Sequence, residues 1–189
     1  MPMQTDDIVI QDLHLSLQEG SSEIPLTPAV GAMVAQVSER ALSLGVRTAL
    51  SMSKGKLPVD VEFEEAHFNG QGAEVTVSAG LNRFLRARAT AVLAISATND
   101  RVVRVDIREI RTLGKISVES MIGPVLDRAL DKAAEKPGID RNPAAERSLL
   151  IEPNALLAEI GIPLEFSAGG RWTVVNTPGL LTVKFAPAE

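Results

Sequence analysis

The chain of 189 residues has no cysteine and no tyrosine, and it carries one tryptophan and five phenylalanines. Without cysteine there is no disulfide, no thiolate metal site and no thiol nucleophile. Aromatics make up 3% of the residues, so the core must be aliphatic. Single-stranded nucleic acid is usually gripped by stacking on aromatic rings, and few are on offer. Basic charge is short as well: 19 Lys and Arg stand against 24 Asp and Glu, a net of −5, with a pI near 5.2. That balance removes the electrostatic basis for holding a phosphate backbone, so no nucleic-acid partner is expected. Met1 to Gln18 lacks the basic region that opens a secretory signal. The expected location is therefore the cytoplasm, or the cell envelope if a leader has been removed.

Chemistry-bearing constellations are equally scarce. His14 and His67 fall in strand-like segments with no second ligand at a metal-binding spacing, which favours structural roles. Glu62, Glu64 and Glu65 read as a solvated strand face that pairs with Arg104 and Arg108, not as a general acid–base pair. Gly70-Gln71-Gly72 and Gly169-Gly170 join strand to strand, whereas a phosphate cradle needs a strand that runs into a helix N-terminus. The expectation is a non-enzyme with no catalytic residue, no metal and no cofactor.

The most informative stretch runs from Thr27 to Lys54. Thr27 can cap a helix, Pro28 suits its first position, and Gly55 follows its end. At about 3.6 residues per turn its polar residues fall into one stripe: Gln36, Arg40, Ser43, Arg47, Ser51 and Lys54. Most other positions are Ala, Val, Leu or Met. A helix laid on a flat sheet needs an apolar stripe of only about 100°, so a Pro28–Ser53 helix of this girth is expected to be wrapped.

Around it the pattern is β. Ile8 and Ile10 alternate in one phase, and Leu13, Leu15 and Leu17 in the other, which predicts a strand with a bulge near Gln11 and Asp12. Alternation over Val59–Glu64, Val75–Ala79, Phe84–Ala97 and Val103–Arg108 predicts an antiparallel meander with one wet face. A second helix is expected over Val118–Glu135, kinked or begun at Pro124, and a short one over Pro153–Ile160. Closing strands follow: Pro163–Ser167 and Arg171–Val175 as a hairpin at Gly169-Gly170, then Leu180–Phe185 after Thr177-Pro178-Gly179. Residues 1–189 read as one α+β domain: a highly curved antiparallel sheet around one long apolar helix, with a second helix and closing strands.

That order of elements resembles the tubular lipid-binding superfamily, and in particular its small bacterial members. The resemblance spans roughly residues 8 to 186. It rests on Val102–Ile110 leading into Ile116–Leu130, and on Ser148-Leu149-Leu150-Ile151-Glu152-Pro153 followed by Leu156-Leu157 and Ile162–Trp172. What it implies is a curved sheet wrapped round a long helix, with an aliphatic tunnel for acyl chains between them.

The expected function is then binding of a lipid or another elongated apolar molecule in a groove between helix and sheet. Val30, Val34, Val37, Ala41 and Leu44, at steps of four and three, would form one wall. Ala89, Ala91, Leu93 and Ile95 on the long strand would form the other. Peripheral membrane contact and homo-oligomerisation are the partner relations that fit. The alternative is a structural or interaction protein, a homodimer or complex subunit, whose core is fully packed and holds no ligand.

Overall fold

The structure is a computed structural model that describes residues 8–19, 26–53, 60–80, 86–99, 102–113, 119–159, 165–167 and 169–187. Eleven strands and three helices occupy these residues. The first sheet is ordered β1 (Ile8–Glu19), β2 (Leu26–Ser38), β11 (Leu180–Pro187) and β10 (Gly170–Thr177), and β9 (Glu165–Phe166) pairs in parallel with β2. The second is ordered β3 (Asp60–Asn69), β4 (Gly72–Gly80), β5 (Arg86–Asn99), β6 (Val102–Leu113), β8 (Ser148–Ile151) and β7 (Ile139–Arg141). The helices are α1 (Glu39–Ser53), α2 (Glu119–Ala134) and α3 (Pro153–Glu159).

Among the described residues no long helix is wrapped by a sheet, so the expected tubular architecture is overturned. Residues 26–38 form a strand and only 39–53 a helix. The misleading signal was an apolar girth, and its cause is plain from the ladders. β2 lies between β1 and β11, so its two faces alternate as strand faces do. Val30, Met33 and Val37 meet the core, while Ala32, Val34 and Gln36 lie on the other side. A continuous apolar run of this kind cannot be told from a buried helix by periodicity alone. The true helix start lies at Ser38, whose hydroxyl accepts the Ala41 N–H at 3.2 Å, with Glu39 in the first turn.

The meander is as expected: β3–β4–β5–β6 pair antiparallel in order. Asn69 closes the first turn, its carboxamide oxygen accepting the N–H groups of Gln71 and Gly72 at 2.9 and 3.0 Å. The Thr177-Pro178-Gly179 turn also forms; Gly179, at φ 83°, supplies the positive φ, and Thr177 pairs with Leu180. The second helix forms over Glu119–Ala134, close to its expected bounds. Of the two expectations for Pro124, a start there is excluded, because α2 begins five residues ahead of it and runs through it. The Gly169-Gly170 hairpin does not form, because β9 pairs with β2 at Ala29 and Val30 and not with β10.

The core has two centres between the sheets. In one, Val30, Trp172 and Phe185 are buried, with Phe166 against them; the three rings lie 4.5 to 5.0 Å apart, edge-on or tilted. In the other, Phe68, Ala73 and Leu181 are buried, and Val37, Leu42, Leu93 and Ile95 close round them. Polar links fix the sheets to each other. The Asn176 amide donates to the Ile95 carbonyl at 3.1 Å. Phe68 is held on both sides: its N–H donates to Glu39 at 2.9 Å, and its carbonyl accepts the Gly179 N–H at 3.2 Å.

Candidate functional site

The nine residues expected to line a groove do not form one. Val30, Val34 and Val37 belong to β2, and Ala41 and Leu44 to α1, so no single ridge exists. Val34 pairs with Asp12 and Lys184 on the outer face. Leu44 is 60% exposed. Val37, Leu93 and Ile95 do meet, but around Phe68, Ala73 and Leu181 in the second core centre. Val30 is enclosed by the aromatic cluster and Ala89 is buried. Ala91, half-buried, pairs with Val75 and Ile110.

A polar cavity of about 540 Å³ lies elsewhere, lined by Arg104, Asp106, Ile107, Arg108, Ala145, Glu146 and Arg147. Arg104 turns on its neighbour Asp106 at 2.7 Å. The carboxylates of β3 are therefore met by different arginines from those expected. Arg86 pairs with Asp60 and Glu62, and Arg88 with Glu64 and Glu65. Both reach across β4, where Gly80 and Ser78 are small enough to let long side chains pass over. This is a charged ladder on the wet face of the sheet.

His67 stands between two carboxylates, 3.4 Å from Glu65 and 3.6 Å from Glu39, with its side chain 59% exposed. The hydrogen bond to Glu65 is the main cause of a pKa raised above 6.5; burial opposes it, and Glu39 adds to it. The folded state thus binds this proton more tightly than the unfolded chain. The contribution to stability is full below about pH 6.5 and is lost as the pH rises through the folded pKa. Thermal melts across about pH 6 to 8 should show stability falling with pH, and His67→Gln should flatten that slope. A slope unchanged in the variant would remove His67 from the account. Among the described residues no group of three or more His, Asp or Glu is placed to hold a metal ion.

The feature that stands out is on β1. Ile8, Ile10, Leu13, Leu15 and Leu17 are between 47% and 68% exposed. They pair with Val37, Ala35, Met33, Val30 and Pro28 of β2, and cross-strand partners share a face. The five aliphatics therefore continue the core face of the first sheet out to its edge. Two register shifts keep them in phase. Gln11 is an extra residue in β1 between Ile10 and Asp12, the bulge the sequence predicted. Gly31 is the extra residue in β2 opposite His14 and Leu15; a Cβ there would lie 3.0 Å from His14 Nδ1. The opposite face of β1 carries Val9, Asp12, His14 and Ser16, and the bulged Gln11 donates to Gln36 at 2.8 Å.

Comparison with family models, curated proteins and solved structures returns no match.

The alternation of Ile8 to Leu17 was visible in the sequence, but not that β1 is an edge strand. Edge position depends on which strand pairs on the far side, and periodicity does not encode that. No described helix is long and apolar enough to cross a membrane.

Proposed function

We propose that this chain is a non-catalytic binding module that lays an elongated apolar molecule, a lipid acyl chain foremost, along the aliphatic face of β1. The observation that carries this is the row Ile8, Ile10, Leu13, Leu15 and Leu17, at least 47% exposed yet in register with the core. Single exposed aliphatics are ordinary, whereas a contiguous apolar strip marks a contact surface. From Ile8 to Leu17, with Gln11 bulged out, the strip is about 27 Å long at ~3.4 Å per ladder step. That is about twice the ~15 Å of hydrocarbon in one leaflet, so an extended acyl chain fits along it. Such contact needs no dedicated polar residue, which accords with the scarcity of chemistry-bearing motifs.

The binding mode is an open shelf. It does not use the expected helix–sheet groove, whose wall residues are divided between β2, α1 and β5. The test is direct: titrate a fluorescent C16 fatty acid into the purified protein, and analyse a solvent extract of the protein by mass spectrometry. Saturable binding, or stoichiometric copurified lipid, is expected. A probe that stays unbound at about 100 µM protein, together with a lipid-free extract, would sink the proposal.

A further inference from the structure

We infer that the outer edge of β1 pairs with β1 of a second copy of this chain, antiparallel about a two-fold axis at Leu13, and that the two copies together form the apolar surface. The trough it creates rests on the function proposed above; the pairing does not.

β1 ends its sheet, and among the described residues no strand pairs with its outer side. Half its backbone donors and acceptors are thus available for strand addition. A two-fold pairing succeeds only if the strand is self-complementary, and the bulge makes this one so. Leu15 and Leu17 lie two and four residues after Leu13. Ile10 and Ile8 lie three and five before it, but Gln11 is the extra residue in that interval. Discounting Gln11 places Ile10 and Ile8 two and four ladder steps away. Turned about Leu13, the strand then sets Leu13 against Leu13, Ile10 against Leu15 and Ile8 against Leu17, all on one face. On the other face Asp12 falls opposite His14, twice over, which is complementary in hydrogen bonding. Without the bulge, Ile10 would face Ser16. Gln11 therefore serves both ladders: it keeps the aliphatics on the core face and makes the edge match itself.

Pairing leaves the aliphatic face uncovered and doubles it. Two rows of five aliphatics lie side by side at a strand spacing of about 4.8 Å. Each copy supplies half of the trough. One edge strand alone is a ridge with no described strand beside it on its outer side.

A chain with no cysteine allows a clean test. In Leu13→Cys the two introduced thiols sit across the axis, where paired Cα atoms are about 4.5–5.5 Å apart, within the range for a disulfide. In Leu17→Cys they are about 27 Å apart at ~3.4 Å per residue. Light scattering of the full chain should give twice 20.1 kDa. Mild oxidation should cross-link Leu13→Cys into a covalent dimer and leave Leu17→Cys uncross-linked. Asp12→Lys should weaken the dimer at least tenfold, and Asp12→Lys with His14→Asp should restore it.

A parent that stays monomeric at about 100 µM, cross-linking of Leu17→Cys at the rate of Leu13→Cys, or a double variant that stays monomeric would each overturn the pairing. The fatty-acid titration separates the two proposals. A dimer that binds no probe keeps the pairing and ends the function proposed above. Undiminished binding by monomeric Asp12→Lys keeps that function and ends the shared trough.

Discussion

Phe185→Ala is expected to destabilise the protein by about 3–5 kcal/mol. Phe185 is 2% exposed and lies at 4.9 Å from Phe166 and 5.0 Å from Trp172, ring centre to ring centre. It pairs with Met33 of β2 on one side and Trp172 of β10 on the other, so its ring sits where three strands converge. Truncation removes the apolar burial and leaves a cavity that two neighbouring rings cannot fill without leaving each other. Gly170 reports the same fit from below. A Cβ there would lie 2.1 Å from the Phe185 Cζ, so Gly170→Ala should itself cost about 1–3 kcal/mol by overpacking. Combined, the two changes should cost less than their sum, because the small side chain at 185 clears the space that the new methyl needs. Trp172, the only tryptophan, is a built-in fluorescence probe for urea unfolding of all three variants. A loss below about 1 kcal/mol for Phe185→Ala would mean that this cluster is not a core.

The sequence made some of this fold legible and hid the rest for identifiable reasons. The β3–β6 meander was readable because Val61 and Phe63, Val75 and Val77, and Val103 and Val105 alternate against a charged face, and a period of two has no helical rival. The bulge at Gln11 was readable because two runs of aliphatics stand out of phase. Residues 26–53 misled because a central strand and an amphipathic helix adjoin at Ser38, and their summed pattern imitates one greasy helix. Val30, Val34 and Val37 favour a strand, and Ser38-Glu39 is a helix-start signal; weighted together they mark the break. Gly170 imitated a hairpin turn, yet its lack of a side chain makes room for the Phe185 ring. The arginines opposite Glu62 and Glu65 were misassigned because Arg86 and Arg88 lie two strands away. Reaching them requires knowing that β4 offers Gly80 and Ser78 there. Local periodicity is written in the chain, whereas edges, sheet partners and cross-strand reach are products of topology.

The function proposed for β1 makes its largest demand on Leu15 and Leu17. Leu15→Glu combined with Leu17→Glu should lower the affinity for a fluorescent C16 fatty acid at least tenfold. Full burial of a leucine side chain is worth about 1.5–3 kcal/mol. These two are 51% and 68% exposed, so roughly half of that remains to be gained from a ligand. Losing about 1 kcal/mol at each position, and setting carboxylates against an acyl chain, exceeds the ~1.4 kcal/mol that a tenfold change requires. Stability should move little, within about 0.5 kcal/mol, because neither side chain is enclosed in the free protein. Val37→Glu is the contrasting control: Val37 lies on the same face one strand inward, packed into the second core centre. A carboxylate there should unfold the protein before any effect on binding can be read. Retained affinity in the double glutamate variant would show that the strip is not where the apolar ligand lies. A collapse of stability in that variant would show that β1 is covered in solution by something that the glutamates expel.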